Sequence, residues 1–142
     1  MSRTKLDLPK EFNFHVSIPV RITDINYGGH VGNDTVLTLL HEARMKFLYY
    51  YEFSEMNFGG VGLIMRDVTI EFKKELFYGD SARVYVTVTN FSRVGFDVFY
   101  KMVKNEDEMQ VAIAKTGMVC FDYSSRKVMR VPETVKQLLT ES

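Results

Sequence analysis

The chain has one cysteine, Cys120, and three prolines in 142 residues. A lone thiol excludes an intramolecular disulfide, and it leaves any metal site to be assembled from three histidines and scattered carboxylates, so no metal is expected. A reducing, cytoplasmic setting follows. Excess charge is also missing: 18 basic residues balance 18 acidic ones, and the pI is about 6.8. Neither Lys73-Lys74 nor Arg126-Lys127 amounts to a basic stripe, so nucleic acid is not an expected partner. Residues 1–12 lack the apolar core of a signal peptide, and no stretch approaches ~18 uncharged apolar residues, so neither export nor a membrane span is expected. Repeats, low-complexity tracts and linkers are absent, and with 46% hydrophobic residues the chain reads as one globular domain over 1–142.

What is present begins with strict alternation. Phe12, Phe14, Val16, Ile18, Val20 and Ile22 share one side of a half-buried strand, with Pro19 on the polar side of an exposed edge. Residues 34–51 carry Val36, Leu39, Leu40, Ala43, Phe47 and Tyr50 at helical spacing, and Leu37, Leu48 and Tyr51 widen the stripe until the helix must be wrapped by strands. Asn33 or Asp34 is the expected N-cap. Further strands are expected over 63–75, with Ile64, Val68, Ile70 and Phe72 facing one way, then over 82–89, 94–102 and 109–123. A short helix is expected over 133–140 behind Pro132. This order predicts an α+β fold, an antiparallel sheet curled around one long helix.

Between the first strand and the helix lies Asp24-Ile25-Asn26-Tyr27-Gly28-Gly29-His30-Val31-Gly32-Asn33, followed downstream by His41-Glu42-Ala43-Arg44. This pattern, with the Tyr78-Gly79-Asp80 turn, resembles the hotdog-fold acyl-CoA thioesterases of the hydroxybenzoyl-CoA thioesterase-like family over nearly the whole chain. The resemblance implies a five-stranded curled sheet around a central helix, and no cofactor beyond the CoA that arrives as part of the substrate. It further implies an acyl-CoA or acyl-carrier-protein substrate and sites shared between protomers of a homodimer or homotetramer. The chain departs from the hydroxybenzoyl-CoA type where the second acid of Asp-x-Asp would stand, at Asn26. It is similar there to plant acyl-carrier-protein thioesterases, which match Asp24, Asn26, His30 and Glu42 but have one residue fewer between the Asn and the His.

Thioester hydrolysis needs a prepared water or nucleophile and donors aimed at the carbonyl oxygen. Asp24 is the expected base or nucleophile, with an Asx-type turn acceptor as the alternative. Asn26 would orient water or bond the carbonyl, and His30 would polarise water or the thioester; both residue types also serve simply to satisfy loop backbone. The N–H groups at the helix start, preceded by glycines, are placed to polarise the carbonyl. Expected substrate contacts are Tyr27, Gly29, Val31, Gly32 and Asn33 on the loop, Glu42 on the helix, Ile64 and Met65 on the next strand, and Arg93 at a hairpin. Glu42 has two readings, a site acid or the partner of Arg44, Arg66 or Lys46. Two other functions fit the same loop, a hotdog enoyl-CoA hydratase and a non-catalytic acyl-binding protein.

Overall fold

The computed structural model describes residues 6–141. Alternation gives β1 (Phe14–Pro19), in which Phe14, Val16 and Ile18 turn inward and His15, Ser17 and Pro19 outward. The strand is shorter than the apolar pattern suggests. A 3-10 turn at Ile22–Asp24 ends it, so Ile22 is 64% exposed, and Phe12 packs on the outer face against Tyr85 instead of in the core.

Helix α1 (Asn33–Tyr50) buries Val36, Leu39, Leu40, Ala43, Phe47 and Leu48, the spacing of one helical face. It starts behind Gly32, which caps it with no side-chain bond, rather than behind Asn33 or Asp34. Tyr50, expected inside, is exposed and rests its ring on Phe14. The helix is not wrapped all round, because the curled sheet covers one face and leaves Thr38, His41, Glu42, Lys46 and Tyr49 outside.

The remaining strands are β2 (Gly62–Phe72), β3 (Ser81–Thr89), β4 (Gly95–Lys104) and β5 (Gln110–Asp122), all antiparallel in the order β1-β3-β4-β5-β2. A sixth strand, β6 (Lys127–Val128), was not expected; two residues are too few to show alternation, and it extends β5 past the end of β4. The sheet places β1 at one edge and β2 at the other, which gives Pro19 the edge position its missing N–H requires.

β2 differs from its expected pattern. A bulge between Met65 and Asp67 resets the alternation, so Met65 pairs with Met118 and Val68 with Thr116 on the helix side, while Ile64 pairs with Val119 on the opposite face. Residues 6–13 cross that outer face. Leu6 N–H donates to the Glu71 carboxylate at 2.8 Å, and the Lys101 ammonium lies over the rings of Phe12 and Tyr85. Under this segment Phe99, Val103 and Ile113 are buried. Helix α2 (Glu133–Glu141) follows Pro132 and inserts Val135 and Leu139; Val135 presses on Gly59, whose φ of +68° and lack of a Cβ permit the contact.

Candidate active site

The loop before α1 is a tight hairpin. Ile25 and Val31 bridge, Asn26 N–H donates to the His30 carbonyl at 2.9 Å, and Gly29 N–H donates to the Asn26 carbonyl at 3.0 Å. Gly29 turns the chain at φ +81°, a conformation natural to glycine. The hairpin is anchored to the connection between β2 and β3 by Val31 N–H donating to the Leu76 carbonyl at 2.8 Å and by a bridge between His30 and Phe77.

Within this frame the Asn26 side chain has a defined orientation. Its Oδ1 accepts the Gly28 N–H at 2.9 Å, which leaves Nδ2 as the outward donor. A Cβ placed on Gly32 would stand 3.6 Å from that Nδ2 and 2.8 Å from Oδ1 of Asp34, so Asn26 and Asp34 flank the start of the helix. The first intrahelical bond runs from Val36 N–H to the Gly32 carbonyl, so the N–H groups of Asn33, Asp34 and Thr35 precede the ladder. Donor side chain and donor backbone therefore lie at the same end of the helix.

His30 stands beside it. Its Nδ1 lies 3.2 Å from the Val31 carbonyl, an acceptor only, so Nδ1 is the donor of that contact. Nε2 faces the Glu75 carboxylate at 3.8 Å. A cleft of about 250 Å³ opens here, lined by His30, Asn33, Val36, Phe72 and Glu75 among others. Glu75 carried no signal in the sequence, since nothing local to it marks the bridge that brings residues 75–77 to the loop.

Asp24 lies in the 3-10 turn from which the hairpin departs. It is 5% exposed, its Oδ2 accepts the Arg21 N–H at 2.8 Å, and the Arg21 guanidinium lies 3.5 Å from both carboxylate oxygens. This contact gives Asp24 a backbone partner within the turn. The carboxylate fixes that turn.

α1 packs against β1 and β3 and leaves a groove toward β2. A second cavity of about 260 Å³ lies in that groove, with Leu37, Leu40, Met65 and Val68 as apolar walls and His41, Arg44 and Thr116 as polar ones. Arg44 is only 7% exposed. It falls on the buried stripe, four residues after Leu40 and three before Phe47, and that position was the signal that could have singled it out. Its Nε donates to Glu55 at 2.7 Å and its Nη1 to the Tyr100 hydroxyl at 3.0 Å, which pairs in turn with Thr116 at 2.7 Å; His41 Nε2 meets the other Glu55 oxygen at 2.9 Å. Burial alone would push the Glu55 carboxyl up, but its hydrogen bonds with His41 and Arg44 hold it below the ordinary carboxylate range. Burial pushes the Tyr100 phenol up.

The other expected contacts divide. Asn33 and Val31 line the cleft at the helix start, and Met65 lines the groove. Tyr27 stands fully exposed at the hairpin tip. Ile64 is turned to the outer face by the bulge and does not reach the groove. Glu42 is exposed and meets Lys46 at 3.8 Å, one turn along the same helix, which is the ion-pair reading of that residue. Arg93 is far from the loop in the chain fold; with Phe91, Ser92, Arg130, Glu133 and Lys136 it lines a cleft of about 510 Å³ beside the C-terminal helix.

Residues 20–139 match the model of a family described as the thioesterase-like superfamily. The chain is 32% identical over 130 residues to a 1,4-dihydroxy-2-naphthoyl-CoA hydrolase of Microcystis aeruginosa, covering 84% of this chain and 88% of that protein. Its structure is similar to that of a 1,4-dihydroxy-2-naphthoyl-CoA thioesterase from Synechocystis, with TM-score 0.82 and 25% identity over 90% of this chain and 96% of the other. A DHNA-CoA thioesterase from Staphylococcus aureus shares the fold at TM-score 0.78 and 19% identity, covering 89% and 87% of the two chains.

Proposed function

The chain belongs to the thioesterase-like superfamily, and from that premise we propose how it hydrolyses an acyl-CoA thioester to the free acid and CoA. Membership favours hydrolysis over hydration of an enoyl-CoA. The thioester carbonyl oxygen accepts hydrogen bonds from the free N–H groups at the start of α1 and from Asn26 Nδ2, donors fixed before the substrate arrives. His30 Nε2 takes a proton from water as its oxygen adds to the carbonyl carbon. When the tetrahedral intermediate collapses, the C–S bond breaks and the imidazolium returns that proton to the departing sulfur. Asp24 holds the turn behind the hairpin and so positions both groups.

The observation that carries this reading is the committed orientation of Asn26, whose Oδ1 is occupied by Gly28 and whose Nδ2 stands at the helix start. An amide cannot act as the missing acid, but it serves as the donor that developing charge on the carbonyl oxygen requires.

The basic cleft of Arg93, Arg130 and Lys136 suits the phosphates of CoA. It lies at the Gly62 end of β2, whereas the hairpin lies at the Phe72 end. We infer that two protomers pair their β2 edges about a two-fold axis as a homodimer or as half of a homotetramer. Antiparallel pairing then brings the helix start of one protomer toward the basic cleft of its partner. The test is release of thiol from a panel of short, medium, long and aryl acyl-CoAs by the purified protein, with its mass in solution measured alongside. Release from at least one thioester by a dimer or tetramer is expected, and binding without release at every length would overturn the hydrolytic reading.

A further inference from the structure

The cleft at the helix start has His30 and Asn33 on one wall and Phe72, Lys73, Lys74 and Glu75, the end of β2 and the residues after it, on the other. Two lysines therefore border the place assigned to the thioester carbonyl, and they differ. The Lys73 ammonium lies 3.9 Å from the Glu71 carboxylate. Lys74 is exposed, and its ammonium meets no carboxylate among the described residues. Its main chain is tied down on both sides. Lys74 N–H donates to the Val111 carbonyl at 3.2 Å, and two residues on the Leu76 carbonyl accepts the Val31 N–H at 2.8 Å. So short a tether to the hairpin, with a flexible four-carbon stem, brings the amine within reach of the cleft. We propose that Lys74 is a self-acylation site, whose amine competes with water for the polarised thioester and takes the acyl group as an amide. The inference rests on the hydrolase reading above, which supplies the held carbonyl.

The step uses groups already in place. A neutral amine adds to a thioester carbon far more readily than water does, and donors that polarise the carbonyl for one nucleophile polarise it for the other. The Lys74 ammonium gives one proton to His30 Nε2, and the freed electron pair on Nζ forms the N–C bond. As the C–S bond breaks, a second proton passes from nitrogen to sulfur, and His30 later returns its own proton to water. The products are CoA, an Nε-acyl-lysine and one released proton, with nothing oxidised or reduced. An amine leaves far less readily than a thiolate, so the amide outlasts many rounds of hydrolysis and keeps its acyl group in the cleft. The enzyme is thereby closed in proportion to the acyl-CoA it has met.

The test incubates the purified protein with benzoyl-CoA and with hexanoyl-CoA, follows free acid and CoA, and reads acylation of the protein by intact mass and peptide mapping. With at least one of the two, Lys74 should carry about tenfold or more of the acyl group found on Lys10, Lys46 or Lys127, which are exposed as well but lie outside the cleft. In His30→Gln that excess should fall to within about threefold of the other lysines, because the proton acceptor is gone. Lys73→Arg should leave the excess on Lys74. Progress curves of the wild type should slow as the adduct accumulates, and those of Lys74→Arg should stay linear over the same number of turnovers. No adduct, acylation spread evenly over the exposed lysines, an excess undiminished in His30→Gln, or wild-type curves that stay linear with Lys74 fully acylated would overturn the assignment. Free acid reports hydrolysis and the amide reports the lysine, so failure of the hydrolase reading shows separately, as no free acid from any thioester.

Discussion

Asn26 Oδ1 and the main-chain N–H of Gly28 meet at 2.9 Å, and this one bond decides which end of the carboxamide faces the helix start. The residue is thereby a donor, with no proton to exchange. Asn26→Ala should lower kcat by about 100- to 1,000-fold, the usual effect of removing an oxyanion donor, with KM for the same thioester nearly unchanged. Asn26→Asp should also lower kcat, since it replaces a donor with a charge that repels the developing oxyanion. A rise in kcat for that variant would show that a carboxylate is the better catalyst at this position.

Asp24 separates support from chemistry. In Asp24→Asn an oxygen still accepts the Arg21 N–H, so hydrolysis should fall by less than about tenfold. Asp24→Ala removes the acceptor and should cost about 1–2 kcal/mol of stability, measured by urea unfolding. A folded Asp24→Asn protein without activity would instead make Asp24 the base.

The clasp of Arg44 and Glu55 sets an acid limit. Glu55 is pulled below the ordinary carboxylate range in the folded chain, against the upward push of burial. Its stabilising contribution is therefore complete above the unfolded carboxylate value and is lost as pH falls through the depressed one. Glu55→Gln should flatten that part of the stability-pH curve. At neutral pH it should cost about 3 kcal/mol, since the buried guanidinium loses its counter-charge. Chemical unfolding between pH 3 and 7 reads both effects.

Cys120 is buried in the core, and burial pushes its thiol up to about 11. A disulfide reagent at neutral pH should find no reactive thiol in the native protein and one per chain in denaturant. Thiol released in a hydrolysis assay is then CoA.

Much of this molecule is written locally. The spacing of Val36, Leu39, Leu40, Ala43 and Phe47 predicts the helix to within a residue, because one buried stripe determines it. The alternation of Ala82, Val84 and Val86 does the same for β3. The bulge after Met65 was not legible, since both registers of that run keep apolar residues in plausible places, and so Ile64 was assigned to the wrong face. Long-range pairs were also silent: Glu55 reaches Arg44 from beyond the helix end, and Tyr100 reaches it from β4, 56 residues on. The loop residues were visible as chemistry, but that the Asp24 carboxylate accepts the Arg21 N–H shows only in space.

The central claim is that His30 prepares water against a carbonyl held at the helix start, and one comparison tests it most directly. Acyl-CoA hydrolysis by wild type and by His30→Gln is followed through CoA release, with circular dichroism as the check on folding. The expected result is a fall in kcat of about 100-fold or more in a folded variant that still binds substrate. Wild-type turnover by His30→Gln would contradict the account.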